Sequence, residues 1–207
     1  MTIDTAIRTA AGTAAEVVYD IMHSYRQGNV TDEEDITGEL AGAFGVAFRF
    51  RQIENLTWSC SVVRHHKGRA AEESRVGADL LIHVSLKTTD LVYSKGVLVQ
   101  AKRVEPGEPM KPAMQADLVR KCKQMLRITP ASFVFDYAKG SMRCGSASRI
   151  AGSQNRDLYQ ECQWTPLRFF WELFRCPIGD PRITSARVDR LPAPAKVMFT
   201  ATDNIRG

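Results

Sequence analysis

Two β-rich runs in the middle of the chain, residues 78–86 and 92–103, constrain its fold more than any other feature. A short polar loop separates them, which is typical of neighbouring antiparallel strands. Alternating apolar and polar residues at 46–51 and 58–64 extend the pair into a predicted antiparallel meander. Because amphipathic helical patterns precede and follow this block, we predict an α/β protein.

Apolar residues at intervals of three and four predict the helices. One helix is predicted from about residue 5 to residue 26, ending at Gly28, and a second from Thr31 to Gly45. A third is predicted at about 113–128, followed by a buried strand at 132–137. The order αβββαβ, after an N-terminal helix, indicates a mixed central sheet flanked by helices.

The patterns are weaker after residue 138. Residues 142–151 are predicted as a strand and turn, 165–174 as an aromatic-rich helix and 180–194 as irregular. We predict a single domain over residues 1–207, with a core at about 31–138 and a C-terminal helical extension at about 139–207. The aromatic side chains of the extension are predicted to form core or a dimer contact: Phe169, Phe170, Trp171 and Phe174.

Composition excludes several classes of protein. The 207 residues carry 28 Lys+Arg and 23 Asp+Glu, and the formal net charge of +5 is only a weak indication of a polyanionic partner. We expect a cytoplasmic protein, because no apolar run is long enough to cross a bilayer and the amino terminus does not resemble a secretory signal. The five cysteines are expected as reduced thiols, since their spacing fits neither C-x-x-C nor a zinc site.

Polar residues interrupt the two central strands at three positions. Asp79 lies at the start of the first, and Gln100 and Lys102 share one face of the second, roughly 6.5–7 Å apart along the strand. Carboxylate and amide oxygens are ligands that hard divalent cations prefer, and a lysine beside a metal-bound water can act on it. The pattern therefore predicts a metal site. The alternative is a cross-strand salt bridge between Asp79 and Lys102 on a solvated face.

The segments Gly77-Ala78-Asp79 and Gln100-Ala101-Lys102 resemble the PD-(D/E)XK nuclease superfamily, in the variant where glutamine replaces the second acidic ligand. Three stretches are similar to the Q-x-K nucleases of bacterial restriction and phage-defence systems: residues 33–37 (EEDIT), 122–126 (CKQML) followed by Thr129 and 132–134 (SFV), and 176–180 (CPIGD). The resemblance extends over roughly residues 31–183 and implies a restriction-endonuclease-like core.

The resemblance also implies an activity, which is metal-dependent hydrolysis of DNA phosphodiester bonds to a 5′-phosphate and a 3′-hydroxyl. Mg²⁺, or Mn²⁺ in its place, would be held by Asp79, Gln100 and the backbone carbonyl of Ala101, with Glu33 binding directly or through water. Lys102 would position or deprotonate the attacking water. The implied partners are DNA and a second copy of the chain or a larger defence complex, since one site cuts one strand per encounter.

Two adjacent glutamates compete for the helical position of this site. Thr31 and Glu34 match a capping box, which gives Glu34 a structural role. Glu33 shares the apolar face of the helix and is the predicted site residue, on the same face as Ile36, Thr37, Leu40 and Phe44. Its alternative role is that of a first-turn acid stabilised by the helix dipole.

Other charged groups have less specific interpretations. One loop is either a phosphate-contact patch or a solvated turn, and it contains His65, His66, Lys67, Arg69 and Arg75. The cations of the third helix are interpreted as a solvated face, with phosphate contact as the alternative: Lys111, Arg120, Lys121, Lys123 and Arg127. His83 shares a strand face with Asp79 and is not assigned to a metal. Two other functions stay open, a catalytically weak or inactive nuclease-fold protein that binds nucleic acid or a partner protein, and an RNA-directed nuclease.

Overall fold

The structure, a computed structural model, describes residues 2–64, 76–89 and 91–204. The helices are α1 (Ile3–Arg26), α2 (Glu33–Ala47), α3 (Pro112–Ile128), α4 (Ala147–Gly152), α5 (Leu158–Glu161), α6 (Pro166–Arg175) and α7 (Ser185–Val188). The strands are β1 (Arg51–Ile53), β2 (Leu56–Arg64), β3 (Leu80–Lys87), β4 (Val92–Lys102), β5 (Ser132–Ala138), β6 (Ser141–Ser146) and β7 (Ala195–Asp203). The predicted loop at residues 65–75, with His65 and His66, lies outside the described residues.

The described strands form one mixed sheet in the order β1-β2-β7-β3-β4-β5-β6. β3 and β4 are antiparallel, whereas β4 and β5 are parallel and are joined through α3. A helical crossover is the usual connection between parallel strands. The predicted α/β class, with a mixed sheet flanked by helices, is confirmed.

Helices cover the sheet on both faces. Successive side chains of β4 point alternately into the two layers of core. Val97, Val99 and Ala101 pack into the larger cluster, which includes the apolar faces of α1, α2 and α6. Leu98 faces the other way, into the cluster around α3. Because Gln100 lies on the same side as Leu98, it points toward the α3 layer.

The aromatic side chains of α6 belong to the larger cluster. Phe169, Phe170 and Phe174 are fully buried, and the Phe170 ring lies 5.3 Å from that of Phe44 in an edge-to-face arrangement. Such pairs add to the hydrophobic burial that holds α2 and α6 together. The prediction of core for this aromatic stripe is therefore confirmed, although Trp171 is only half-buried.

The predicted meander is wrong, because β7 lies between β2 and β3. β7 is antiparallel to β2 and parallel to β3, with Leu80 opposite Ala195. Within residues 139–207, the strand predicted at 142–151 is confirmed in its first part as β6, and the helix at 165–174 is confirmed as α6. The description of this segment as a helical extension is wrong, since β6 and the unpredicted β7 both belong to the sheet. A core made of residues 31–138 alone would lack a strand near the centre of that sheet.

The connection between α2 and β2 differs from its prediction as well. The expected strand at 46–51 is wrong: α2 continues to Ala47, and the chain then turns through Phe50, which has a φ of 50°, into the short β1. Gly45 does not end the helix. A Cβ at this position would lie 3.3 Å from the Val62 side chain, so glycine here allows α2 to pack closely on β2.

Three predicted elements are confirmed within one or two residues at each end. They are the helix from about residue 5, which is α1, the third helix, which is α3, and the strand at 132–137, which is β5. None of the five cysteines is disulfide-bonded in the described part of the chain. Among the described helices, none is both long and apolar enough to cross a membrane.

Candidate active site

The predicted site residues come together where β3 begins and β4 ends. Leu80 is opposite Val99 in the antiparallel pair, so Asp79, one residue before β3, lies beside Gln100. The backbone of Asp79 is fixed on both sides: its N–H donates to Val99 O at 2.9 Å, and its carbonyl accepts from Ala195 N at 3.2 Å. Two neighbouring strands, β4 and β7, therefore hold this residue in place.

The Asp79 carboxylate accepts hydrogen bonds from β4. Its Oδ2 accepts from the backbone N–H of Ala101 at 2.8 Å and from the side-chain amide of Gln100. Burial raises the pKa of this carboxyl to about 6, although the charge of Lys121 and the Ala101 N–H act to lower it. Asp79 is therefore ionised at neutral pH and becomes protonated under mildly acidic conditions.

The Gln100 amide is completely buried between two oxygen atoms. Its Nε2 donates to Asp79 Oδ2 and, at 2.8 Å, to the carbonyl of Ala101. Its Oε1 is buried and has no hydrogen-bond partner among the described residues. The amide nitrogen thus lies against the carboxylate and the carbonyl that the nuclease resemblance assigns to a metal ion. A half-turn of the amide would exchange its nitrogen and oxygen, which are nearly equal in size.

Lys102 and Glu33 form an ion pair at the same end of the sheet. Lys102 Nζ lies 2.9 Å from Glu33 Oε1, with 11% of the lysine side chain and 30% of the glutamate side chain exposed. Of the two adjacent glutamates, Glu33 therefore contacts the predicted site, whereas Glu34 is exposed. The alternative in which Lys102 forms its salt bridge with Asp79 is wrong, because Lys102 pairs instead with Glu33.

The start of α2 explains why Glu33 is the residue that reaches the sheet. The predicted capping box is wrong: Asp32, and not Thr31, is the N-cap, so Glu33 and Glu34 are the first two helical residues. The carbonyl of Thr31 accepts a hydrogen bond from the Arg103 side chain. Arg103 follows Lys102 directly, so two consecutive residues after Ala101 attach the start of α2 to the end of β4.

A buried hydroxyl pair also connects this turn of α2 to β5. The Thr37 hydroxyl donates to the carbonyl of Glu33 at 2.9 Å and lies 3.1 Å from the Tyr137 hydroxyl. Both side chains are buried, so their hydrogen bonds replace those that water would make. These contacts give Thr37 a structural role in orienting the helical turn that carries Glu33.

Sequence patterns did not identify Asp136, which lies on β5 directly beside Lys102 in the parallel register. It is fully buried, and its Oδ1 accepts from Val104 N at 3.0 Å. Its Oδ2 is without a hydrogen-bond partner in the described residues. Burial raises the pKa of Asp136 to about 7, and the negative charge of Glu105 adds to the increase. The available signal was a single acidic residue inside the otherwise apolar run 132–138.

Lys121 is a second residue whose place the sequence did not indicate. It is half-buried on α3, and its charge is the strongest influence that lowers the pKa of Asp79. Gly77 brings the two elements together, because it has a φ of +73° and an added Cβ would lie 2.6 Å from the Lys121 carbonyl. The Gly-Ala-Asp segment therefore uses glycine for close packing against α3.

The remaining charged candidates have structural roles or are solvated. On α3, Arg120 pairs with Asp117, and Lys123 and Arg127 are exposed, as the solvated-face interpretation predicts. His83 is buried and hydrogen-bonds to Ser94 at 2.9 Å. Burial lowers the pKa of His83 to about 4, so it is a neutral histidine of the core at physiological pH.

A metal site built only from His, Cys, Asp and Glu side chains is absent from the described residues, where no three of them converge. A cation at the predicted position would need the Gln100 amide and the Ala101 carbonyl as ligands. Comparison of the chain with protein-family models, curated proteins and solved structures gave no significant match.

Proposed function

We propose that the chain is a metal-dependent nuclease that hydrolyses DNA phosphodiester bonds and has a restriction-endonuclease-like core. The observation that carries the proposal is the convergence of Asp79, Gln100 and the Ala101 carbonyl at the end of two paired strands. The ion pair of Lys102 with Glu33 at the same end supports it. The succession from α2 through the strand pair β3–β4 to α3 and the parallel β5 agrees with the element order of that superfamily.

The donor atoms fit a hard divalent cation such as Mg²⁺ or Mn²⁺. Gln100 Nε2 places the positive end of an amide dipole against Asp79 Oδ2 and the Ala101 carbonyl. Its own Oε1 is buried without a partner among the described residues. Turning the amide would give three oxygen ligands of the kind that Mg²⁺ prefers, and Glu33 is available as a fourth, directly or through water. When bound, the ion would lower the pKa of a coordinated water and offset charge on the phosphate.

The other residues of the site contribute charge and orientation. Glu33 holds the Lys102 ammonium in one direction, so little reorganisation is needed when Lys102 contacts the attacking water or the scissile phosphate. Lys121 adds a second positive charge near Asp79. Because the pKa of Asp79 is about 6, metal binding and cleavage should rise as the pH increases through that value.

One observation favours the alternative of a catalytically weak or inactive nuclease-fold protein. In the described residues the Gln100 amide already satisfies Asp79, and Glu33 already neutralises Lys102. A site whose charges are paired in this way can persist without an ion. The resemblance favours a cytoplasmic role in restriction or phage defence with a second copy of the chain as partner, and an RNA substrate is the remaining alternative.

Cleavage of supercoiled plasmid with Mg²⁺, with Mn²⁺ or with a chelator tests the proposal. We expect ion-dependent cleavage that Lys102→Ala reduces on the order of 10²–10³-fold, because the lysine stabilises charge in the transition state. Asp79→Ala should instead weaken ion binding, so that raised Mn²⁺ partly restores its activity. Lys87→Ala and Asp20→Ala are matched controls, since both residues are exposed and Lys87 lies about 25 Å along β3 from Asp79.

The outcomes separate the alternatives. Full activity in Lys102→Ala, with circular dichroism unchanged, would exclude this site from the reaction. If neither ion supports cleavage of duplex DNA, single-stranded DNA or RNA, and salt-sensitive binding persists, the non-cleaving alternative is favoured. If RNA is cleaved and competes with DNA, the substrate assignment changes and the site assignment stands.

A further inference from the structure

A cleft of about 550 Å³ opens beside the candidate active site. Its walls come from the α1–α2 connection, the segment that follows β4 and the β5–β6 turn. Two of its residues are sequence neighbours of the site: Arg103 follows Lys102, and Thr31 precedes Glu33 by two positions. Because consecutive Cα atoms are about 3.8 Å apart, the cleft begins directly next to the lysine of the site.

Arg103 is held in place at the junction between the cleft and the site. Its guanidinium donates to the Thr31 carbonyl, and its central carbon lies 6.0 Å from the centre of the Tyr25 ring. Cation–π contact and a backbone hydrogen bond both restrict the long side chain. An arginine that is already oriented loses less conformational entropy when it binds a phosphate.

The charged side chains around the cleft favour an anionic ligand, because cations outnumber carboxylates there. Three exposed cations line it, Arg26, Arg103 and Lys139, against the two carboxylates of Glu105 and Glu108. The Glu105 carboxylate already accepts from the Tyr25 hydroxyl at 3.0 Å and from the Lys139 backbone N–H at 3.1 Å. It therefore contributes to the structure of the wall, while the three cations are exposed to solvent and can meet phosphate groups.

We propose that this cleft binds the sugar-phosphate backbone of the substrate strand next to the scissile phosphate. Arg103 contacts the adjacent phosphate, and Arg26 and Lys139 contact the phosphates beyond it. A volume of about 550 Å³ is within the usual range for small-ligand pockets and accommodates about one nucleotide, so the phosphates beyond it would lie outside the cleft, where Arg26 and Lys139 are exposed to solvent. A strand fits better than a free nucleotide because two lining residues, Arg103 and Thr31, are close in sequence to Lys102 and Glu33 of the site. The inference rests on the proposed nuclease function and assigns the direction in which the substrate leaves the site.

Binding of a labelled DNA duplex, measured in chelator over a range of salt concentrations, tests this assignment without any cleavage. The slope of log affinity against log salt decreases in magnitude by about 0.9 for each duplex phosphate that the protein no longer neutralises. We expect Arg26→Ala, Arg103→Ala and Lys139→Ala each to reduce the slope by about that amount, and the triple variant by two to three times as much. Arg49→Ala and Lys87→Ala are the controls, because Arg49 lies beyond the far end of α2, roughly 20 Å from Glu33.

Slopes equal to wild type in all three variants would overturn the assignment, as would wild-type protein that shows no salt-sensitive binding. Displacement of the duplex by millimolar thymidine 5′-monophosphate would also overturn it, in favour of a site for a free nucleotide. Failure of the proposed function looks different: the cleft variants would lower the slope while the wild type cleaves nothing with Mg²⁺ or Mn²⁺. Cleavage with unchanged slopes would keep the nuclease and reject the cleft.

Discussion

Replacement of Asp136 by asparagine should stabilise the protein at alkaline pH and change it little near pH 4. Burial raises the pKa of this carboxyl to about 7, whereas its ordinary value is 3.8. Each unit of difference corresponds to about 1.36 kcal/mol, so ionising Asp136 in the folded protein costs about 4 kcal/mol. Between about pH 4 and pH 7 the unfolded chain binds fewer protons here than the folded one. The free energy of unfolding therefore falls as the pH rises through this interval.

The asparagine side chain keeps the hydrogen bond that the structure makes at this position. Its Oδ1 can accept from Val104 N as the carboxylate does, and its Nδ2 takes the place of Oδ2, which has no partner in the described residues. An unpaired buried donor costs about 1–3 kcal/mol, and the protonated carboxyl carries a similar cost at its hydroxyl. The two proteins should consequently be nearly equal near pH 4, where the folded protein is protonated at Asp136 and the unfolded chain is still partly so, and the variant should be more stable by about 4 kcal/mol at pH 8.5.

Urea unfolding of both proteins at the two pH values measures this difference. Asp117→Asn is the matched control with the opposite sign: partial burial raises the pKa of Asp117, but its hydrogen bond to Arg120 and the nearby Lys121 leave it below the usual value. That control should lose a little stability at pH 8.5. A loss of more than about 1 kcal/mol in Asp136→Asn at pH 8.5 would refute the reasoning, because it would mean that the charged carboxylate is stabilised by its neighbours.

Three other substitutions test single features of the site. Gln100→Glu should tighten Mn²⁺ binding by about tenfold or more, measured by calorimetry, since it adds a negative charge to the ligand set; unchanged affinity in this variant would exclude Gln100 as a ligand. Lys121→Gln should move the pH midpoint of Mn²⁺ binding upward, because the lysine lowers the pKa of Asp79, and an unmoved midpoint would contradict that role. Gly77→Ala should lower the free energy of unfolding by about 1–3 kcal/mol through its φ of +73° and its contact with α3. Gly12→Ala, in the interior of α1 where a Cβ meets nothing within 4 Å among the described residues, should be neutral or stabilising, and equal losses in the two glycine variants would refute the packing argument.

The parts of the site that could be predicted from the sequence are those that local patterns determine. Strand alternation puts Gln100 and Lys102 on one face of β4, and helical spacing puts Glu33 on the face of α2 that packs against the sheet. The pairing of Lys102 with Glu33 does not follow from periodicity alone, because α2 covers the opposite face of the sheet from the one that Gln100 occupies. The cap of α2 was missed because Thr31 and Asp32 are adjacent and both residue types are good N-caps. Choosing between them depends on Arg103, which binds the Thr31 carbonyl from a distant part of the chain.

Features that depend on long-range pairing could not be predicted in this way. Alternation of Val197, Phe199 and Ala201 is compatible with a strand, but it does not specify which strands are its neighbours. The burial of Asp136 depends on the same assembly, because a carboxylate becomes costly only when the α3 layer covers it. Sequence periodicity indicates neither which strands pair with β7 nor that Asp136 is buried.

The position of β7 also determines when the site can form during synthesis. β7 is the last of the described strands to leave the ribosome, yet β2 and β3 each pair with it, and Ala195 N donates to the carbonyl of Asp79. Until residues 195–203 emerge, β3 has an unpaired edge and its first residues lack a neighbour on that side. Long-range pairing of this kind also folds slowly. A nascent chain without β7 therefore lacks the backbone hydrogen bond from Ala195 that holds the carbonyl of Asp79, while the contacts from β4 are already within its reach.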